Sequence, residues 1–210
     1  MSHTSPVRSP KTARSPRRPR RPRNEDFQVH PTDLGSLFAK RPLVWGEDEG
    51  DYDTLLSKVT AAIRPTDVIE AMWVKDITDL TWEAQRLRRI KAGLLQASGQ
   101  CALEMFLEGL PQPGLIDGVQ YDVHRLASGY MSGLKLAVTL VERVLAEHGS
   151  DADGMMALGL ANRLSDFDMI ERMIAGAEAR RNRALSELDR RREAAARHSR
   201  LRATDVDDVS

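Results

Sequence analysis

The chain has 210 residues, with 31 basic and 31 acidic side chains, 41% apolar residues and a single cysteine. That is one medium domain, or one domain with tails. Ten aromatics argue against an all-β sandwich, a lone Cys101 excludes a disulfide framework or a Cys-rich zinc module, and no apolar run approaches the ~18 residues of a membrane span.

Residues 1–23 carry eight basic side chains (Arg8, Lys11, Arg14, Arg17, Arg18, Arg20, Arg21 and Arg23), no acid and five prolines. Almost nothing apolar is present to offset ordering entropy, so 1–31 is predicted to be a disordered Pro/Ser/Arg tail. It is not a secretory signal, because no apolar segment follows the basic start. Its prolines also forbid the amphipathic helix of a mitochondrial presequence. The default location is the cytoplasm. Residues 24–177 hold 14 basic and 24 acidic groups, 178–202 hold nine Arg against four acids, and the last eight residues add three Asp. Basic ends on an acidic body suggest contact with a polyanion, or contact between tail and body.

Residues 32–50 are read as a connector with apolar anchors at Leu34, Leu37, Phe38, Leu43, Val44 and Trp45. The helical domain is predicted over 51–202. Tyr52, Leu55, Leu56, Val59 and Ile63 have helical spacing, and Arg64-Pro65 stops that helix. Asp67 and Glu70 have the spacing of a helix cap. They open a second helix that runs to Ala97 and, past Ser98-Gly99, toward Leu110. Ile69, Trp73, Leu80, Ala84, Leu87 and Leu94 form its apolar stripe, with Trp82 on the opposite side. A third helix is predicted over Val119–His148, a fourth from Ser150 or Asp151, and a last from Asp166 to about Arg200. In the last, Ile170, Ile174, Ala177, Arg181, Ala184 and Leu188 step by 4, 3, 4, 3, 4, the pattern of a coiled-coil seam. Residues 203–210 are read as an acidic tail. The fold class is therefore all-α: an antiparallel helical hairpin or bundle with a long C-terminal helix.

Catalytic signals are poor. The five histidines form no H-x-x-x-H or H-E-x-x-H pair, and no phosphate-binding glycine loop is present. Glu147, His148, Asp151 and Asp153 are better explained as helix caps than as metal ligands, and Asp48 to Asp53 does not match a calcium loop. Cys101, among Ala102, Leu103 and Met105, reads as a buried small hydrophobe. No enzyme activity, cofactor or metal is expected. The Pro-Arg repeats of the tail are suited to phosphate and groove-shape contacts rather than base readout. The candidate nucleic-acid-binding residues are thus the eight basic side chains of the tail. Arg180, Arg181, Arg183, Arg190, Arg191, Arg192, Arg197, Arg200 and Arg202 make the last helix basic; an ordinary charged surface is the simpler reading. Trp82, which one apolar stripe does not bury, and Ile170, Ile174, Ala177 and Leu188 are the candidate self-association residues of a homo-oligomer. A helix covered on two sides within one monomer would bury Trp82 equally well.

The stretch Leu37-Phe38-Ala39-Lys40-Arg41-Pro42-Leu43-Val44-Trp45-Gly46-Glu47-Asp48-Glu49-Gly50-Asp51-Tyr52 is followed by Ile63-Arg64-Pro65-Thr66-Asp67 and Trp82-Glu83-Ala84-Gln85-Arg86-Leu87-Arg88-Arg89. It resembles a widespread bacterial group of helical proteins often labelled transposase-like. That group combines a basic N-terminus, a Gly-Glu-Asp step, a Pro-x-Asp turn, a Trp-x-x-x-Arg-x-x-Arg helix and an Arg-rich terminal helix. The similarity covers residues 37–95 and, more loosely, 166–195. The group's Asn-Ala-Leu-Lys-His-Gly-Leu box is absent, with Asp33-Leu34-Gly35-Ser36-Leu37 near its place, and 98–165 lies outside the pattern. The resemblance implies helical architecture and a bacterial source, and no established activity. Two functions compete: a non-enzymatic protein that binds nucleic acid through its basic arm, and a helical adaptor or assembly subunit, similar to a phage terminase small subunit, that binds a protein partner.

Overall fold

The computed structural model describes residues 29–207, and the fold is all-α apart from one small hairpin. The elements are a 3-10 turn at Pro31–Leu34, then α1 (Ser36–Ala39), α2 (Glu49–Ile63), α3 (Val68–Glu108), β1 (Leu115–Ile116), β2 (Val119–Gln120), α4 (Val123–Met131), α5 (Lys135–Glu147), α6 (Ala152–Asn162) and α7 (Leu164–Asp207). No helix among the described residues is long and apolar enough to cross a membrane.

The spine is α3, whose 41 residues make a rod ~60 Å long. Its N-terminal half lies between two antiparallel neighbours. On one side α2 supplies Tyr52 and Leu56, which form a core cluster with Val74 and Trp82 of α3. On the other side lies α7, whose Ile174, Ala177 and Leu188 are buried. The C-terminal half of α3 supplies Leu103 and Leu107 to a second core, with Leu126, Leu140, Val141, Val144, Leu145 and Met155 from α4, α5 and α6.

Local chemistry explains the ends of these helices. The Asp48 carboxylate accepts from Asp51 N–H at the start of α2. Arg64 closes α2 in the left-handed region (φ 52°), and its N–H bonds the Thr60 carbonyl at 2.8 Å. Asp67 caps α3 by accepting from Glu70 N–H at 3.0 Å. The Glu70 carboxylate reaches back one residue further than a capping box requires, to Thr66 N–H at 2.9 Å. Asp122 and Asp151 cap α4 and α6 in the same way.

Ser98-Gly99 does not interrupt α3. It is where α6 crosses: a Cβ added at Gly159 would lie 2.5 Å from the Ser98 carbonyl carbon and oxygen. The two backbones touch because neither helix carries bulk there.

Several expectations need correction. The helix predicted over Val119–His148 is a hairpin strand, α4 and α5. Asp117 (φ 52°) and Gly118 (φ 77°) both sit in the left-handed region. They form a two-residue turn that pairs Leu115 with Gln120 and Ile116 with Val119. Gly133 (φ 75°) then separates α4 from α5, letting Leu134 N–H return to the Gly129 carbonyl at 2.8 Å. The connector read over 32–50 contains the 3-10 turn and α1. Ordered structure also begins before residue 32: Pro31 is buried and Val29 N–H bonds the Pro65 carbonyl at 3.1 Å. At the other end α7 continues to Asp207, through most of the stretch read as an acidic tail. Cys101 is exposed, not buried. The predicted disordered tail up to residue 28, and all eight of its basic side chains, lie outside the described residues.

Candidate functional site

The Gly-Glu-Asp step and the Trp-x-x-x-Arg-x-x-Arg segment converge on one carboxylate. Glu47 lies in the turn before α2, and its side chain is only 6% exposed. One oxygen accepts from Arg86 Nε at 2.9 Å and Arg89 Nη2 at 2.8 Å. The other accepts from Arg86 Nη2 at 2.6 Å, Trp82 Nε1 at 2.9 Å and Val44 N–H at 3.1 Å. Spacing on α3 makes this possible, because residues 82, 86 and 89 are i, i+4 and i+7 and share one helix face. The Arg86 guanidinium, despite the opposing effect of burial, holds the Glu47 carboxyl well below the usual range, at about 2. Trp82 also meets Tyr52 edge-on at a centroid distance of 5.5 Å and lies 5.8 Å from the Arg89 guanidinium. The Gly-Glu-Asp step and the Trp-x-x-x-Arg-x-x-Arg helix are thus two halves of a clamp that fixes the 42–47 turn to α3.

The Pro-x-Asp turn is held by a second clamp. Arg192 of α7 bonds both oxygens of buried Glu70, at 3.0 and 2.9 Å, and the Ile63 carbonyl at 2.8 Å. Arg192 is the main cause that holds Glu70 at about 2. Arg191 pairs with the Asp67 cap at 2.7 Å. Further along the α3–α7 contact, Arg180 faces Glu83, Arg88 faces Glu178 and Lys91 faces Glu171. A third group joins α2 to α3: the Tyr52 hydroxyl donates to Asp79, which also pairs with buried Lys75 at 2.7 Å. Burial, more than the nearby Asp79 charge, raises the Tyr52 hydroxyl well above its ordinary value.

These contacts pack the candidate self-association residues within one chain. Trp82 is 9% exposed and belongs to the core between α2 and α3. The predicted seam exists, but it is closed within one chain: Ile174, Ala177 and Leu188 are buried and Ile170 is half-buried. Charges flanking the seam pair with α3 of the same molecule. Much of the basic surface of the last helix is likewise answered by Asp67, Glu70, Glu83 and Glu187. Among the described residues no three His, Cys, Asp or Glu side chains gather in a metal-binding group.

Sequence reasoning missed one feature by placing it among the connector's anchors. Trp45 is 100% exposed and Val44 is 53% exposed. Both project from the turn that the Glu47 clamp immobilises. The signal was in the sequence, since Trp45 stands between proline and glycine turn residues and five acids at positions 47–53.

Comparison with protein-family models, with curated proteins and with solved structures finds no match. Fold and site define a mainly helical protein built on one long spine helix, with Glu47, Arg86, Arg89, Asp67 and Glu70 committed to clamps.

Proposed function

We propose that this is a non-enzymatic nucleic-acid-associated protein, cytoplasmic, that contacts phosphate through the basic side chains of residues 1–23. The observation that carries this reading is the segregation of charge: eight cations and no acid in 23 residues, attached to a body that is net acidic. The point of attachment supports it. Val29 and Pro31 anchor the arm at the α2–α3 turn, where Arg191 and Arg192 of α7 also lie. Since Arg191 already reaches the cap of α3, residues 193–207 extend ~20 Å beyond the spine. Arg197 and Arg200 lie on that extension. The arm and the projecting end of α7 therefore leave the bundle at the same end and can engage one polyanion together. Contacts of this kind recognise backbone charge and groove shape, with little base discrimination.

The resemblance to the transposase-like group is compatible with this reading and adds no chemistry to it. The clamps account structurally for Glu47, Arg86, Arg89 and Asp67 of that pattern.

Retention of duplex DNA by the full chain, compared with a chain in which the eight basic residues of 1–23 are replaced by Ser, tests the reading. Retention lost in the variant supports it. Equal retention refutes it and favours an adaptor that binds a protein partner.

A further inference from the structure

We propose that the Trp45 turn is the docking site for the chain's own Pro-Arg arm, centred on residues 17–23, so that the arm rests on the body when no polyanion holds it. This inference does not depend on the nucleic-acid reading, because it concerns where the arm goes in the free protein.

Three observations carry it. The first is the surface. Trp45 is wholly exposed and Val44 half-exposed, yet the backbone beneath them is fixed by the Glu47 bonds to Val44 N–H, Trp82 and Arg86. A rigid exposed indole loses little freedom on binding, and proline rings stack well on such aromatic surfaces.

The second is charge. Asp48, Glu49, Asp51 and Asp53 follow Trp45 and are exposed. Arg41 is shared between Glu49 at 3.0 Å and Asp53 at 2.8 Å. Asp48 and Asp51 have no cationic partner among the described residues. Arg86 and Arg89 together answer Glu47, so Asp48 and Asp51 leave the surface beside the indole with a small net negative charge. Arg17-Arg18-Pro19-Arg20-Arg21-Pro22-Arg23 offers the complement, arginines between prolines and no acid.

The third is reach. Val29 is tied to Pro65, just past the C-terminal end of α2, and Trp45 lies just before its N-terminal end. The fifteen residues of α2 and the short turns flanking it separate these points by ~25 Å. A fully extended chain covers at most ~3.3–3.6 Å per residue, so about eight residues are enough to cover that distance. The length of chain before Val29 therefore allows residues 17–23 to arrive at Trp45.

The test uses the full chain with Cys101→Ser and Ser15→Cys, carrying a nitroxide at position 15 and nitrogen-15 label in its three tryptophans. Trp45→Phe in the same chain assigns the exposed indole signal. At low salt the nitroxide is expected to abolish the Trp45 indole N–H signal and weaken that of Trp82 behind it, with Trp73 spared. The reduced label should leave all three intact. Molar salt, or Asp48→Asn with Asp51→Asn, should restore the Trp45 signal, because screening or removing the acids releases the arm. An unaffected Trp45 signal at low salt, or equal loss at Trp73, overturns the proposal. So does loss of the Trp45 signal when isotope-labelled chains without nitroxide are mixed with nitroxide-bearing unlabelled chains, since the occupant would then be another copy's arm.

Discussion

Replacing Glu47 by Ala removes the acceptor for five donors at once: Arg86 Nε and Nη2, Arg89 Nη2, Trp82 Nε1 and Val44 N–H. The Glu47 side chain is 6% exposed and that of Arg86 is 19% exposed, whereas Arg89 is 57% exposed. Breaking a buried pair from one side costs ~3–5 kcal/mol, because the other charge stays uncompensated. Arg86 retains the Pro42 carbonyl as a partner, which places the cost at the low end. The exposed Arg89 contributes under ~1 kcal/mol, and an unanswered indole N–H adds ~1 kcal/mol. The expected loss is about 4–5 kcal/mol. The same contacts lower the Glu47 carboxyl from 4.5 to about 2 in the folded protein, a shift worth ~3 kcal/mol of linkage at neutral pH. Urea unfolding followed by tryptophan fluorescence measures the change, with Arg89→Ala as the control expected to lose under ~1 kcal/mol. A Glu47→Ala loss below ~1 kcal/mol would refute the reasoning, since a pair that broken on one side costs so little is not a buried clamp.

Glu47 and Glu70 both have folded values lowered to about 2 from 4.5. Their stabilisation is fully present above the unfolded value and is lost as pH falls from there through about 2, so acid titration of stability should show a steep fall in that window, blunted in Glu70→Gln. Gly159→Val would drive a side chain into the Ser98 backbone and should cost ~1–3 kcal/mol through overpacking, read as a lower thermal midpoint. Leu188→Ala should cost ~2–4 kcal/mol by opening the seam between α3 and α7, without changing the mass measured by sedimentation. A fall in mass would show that the seam joins chains.

Much of the helical framework is written in local patterns. Helical spacing and the caps at Asp67 and Asp151 mark α2, α3 and α6, and the 4-3-4-3-4 steps from Ile170 to Leu188 mark the buried side of α7. The occupant of that seam is not a local property. A stripe reads alike whether a second chain or the same chain covers it, and in this structure α7 returns along α3 of the same chain. Trp82 misled for a related reason: a one-sided stripe assumes one neighbour, and α3 has two. The hairpin at 115–120 was missed because its strands of two residues are too short to show alternation, although Asp117-Gly118 is the turn pair such a hairpin needs. The split between α4 and α5 was hidden by a nearly continuous apolar pattern across Gly133. Trp45 was misplaced because composition alone cannot tell an anchor that turns inward from one held outward by a neighbouring carboxylate.

The central claim is that the basic arm makes the contact with a polyanion, and the salt dependence of duplex DNA binding by the full chain tests it most directly. Neutralising ~6 phosphates predicts a slope of about −5 in log affinity against log salt. Replacing the arm's eight basic residues by Ser should cut that slope to the small remainder that Arg197 and Arg200 supply, about −2 or shallower. A full-chain slope near −1, or a slope unchanged by those substitutions, would contradict the account.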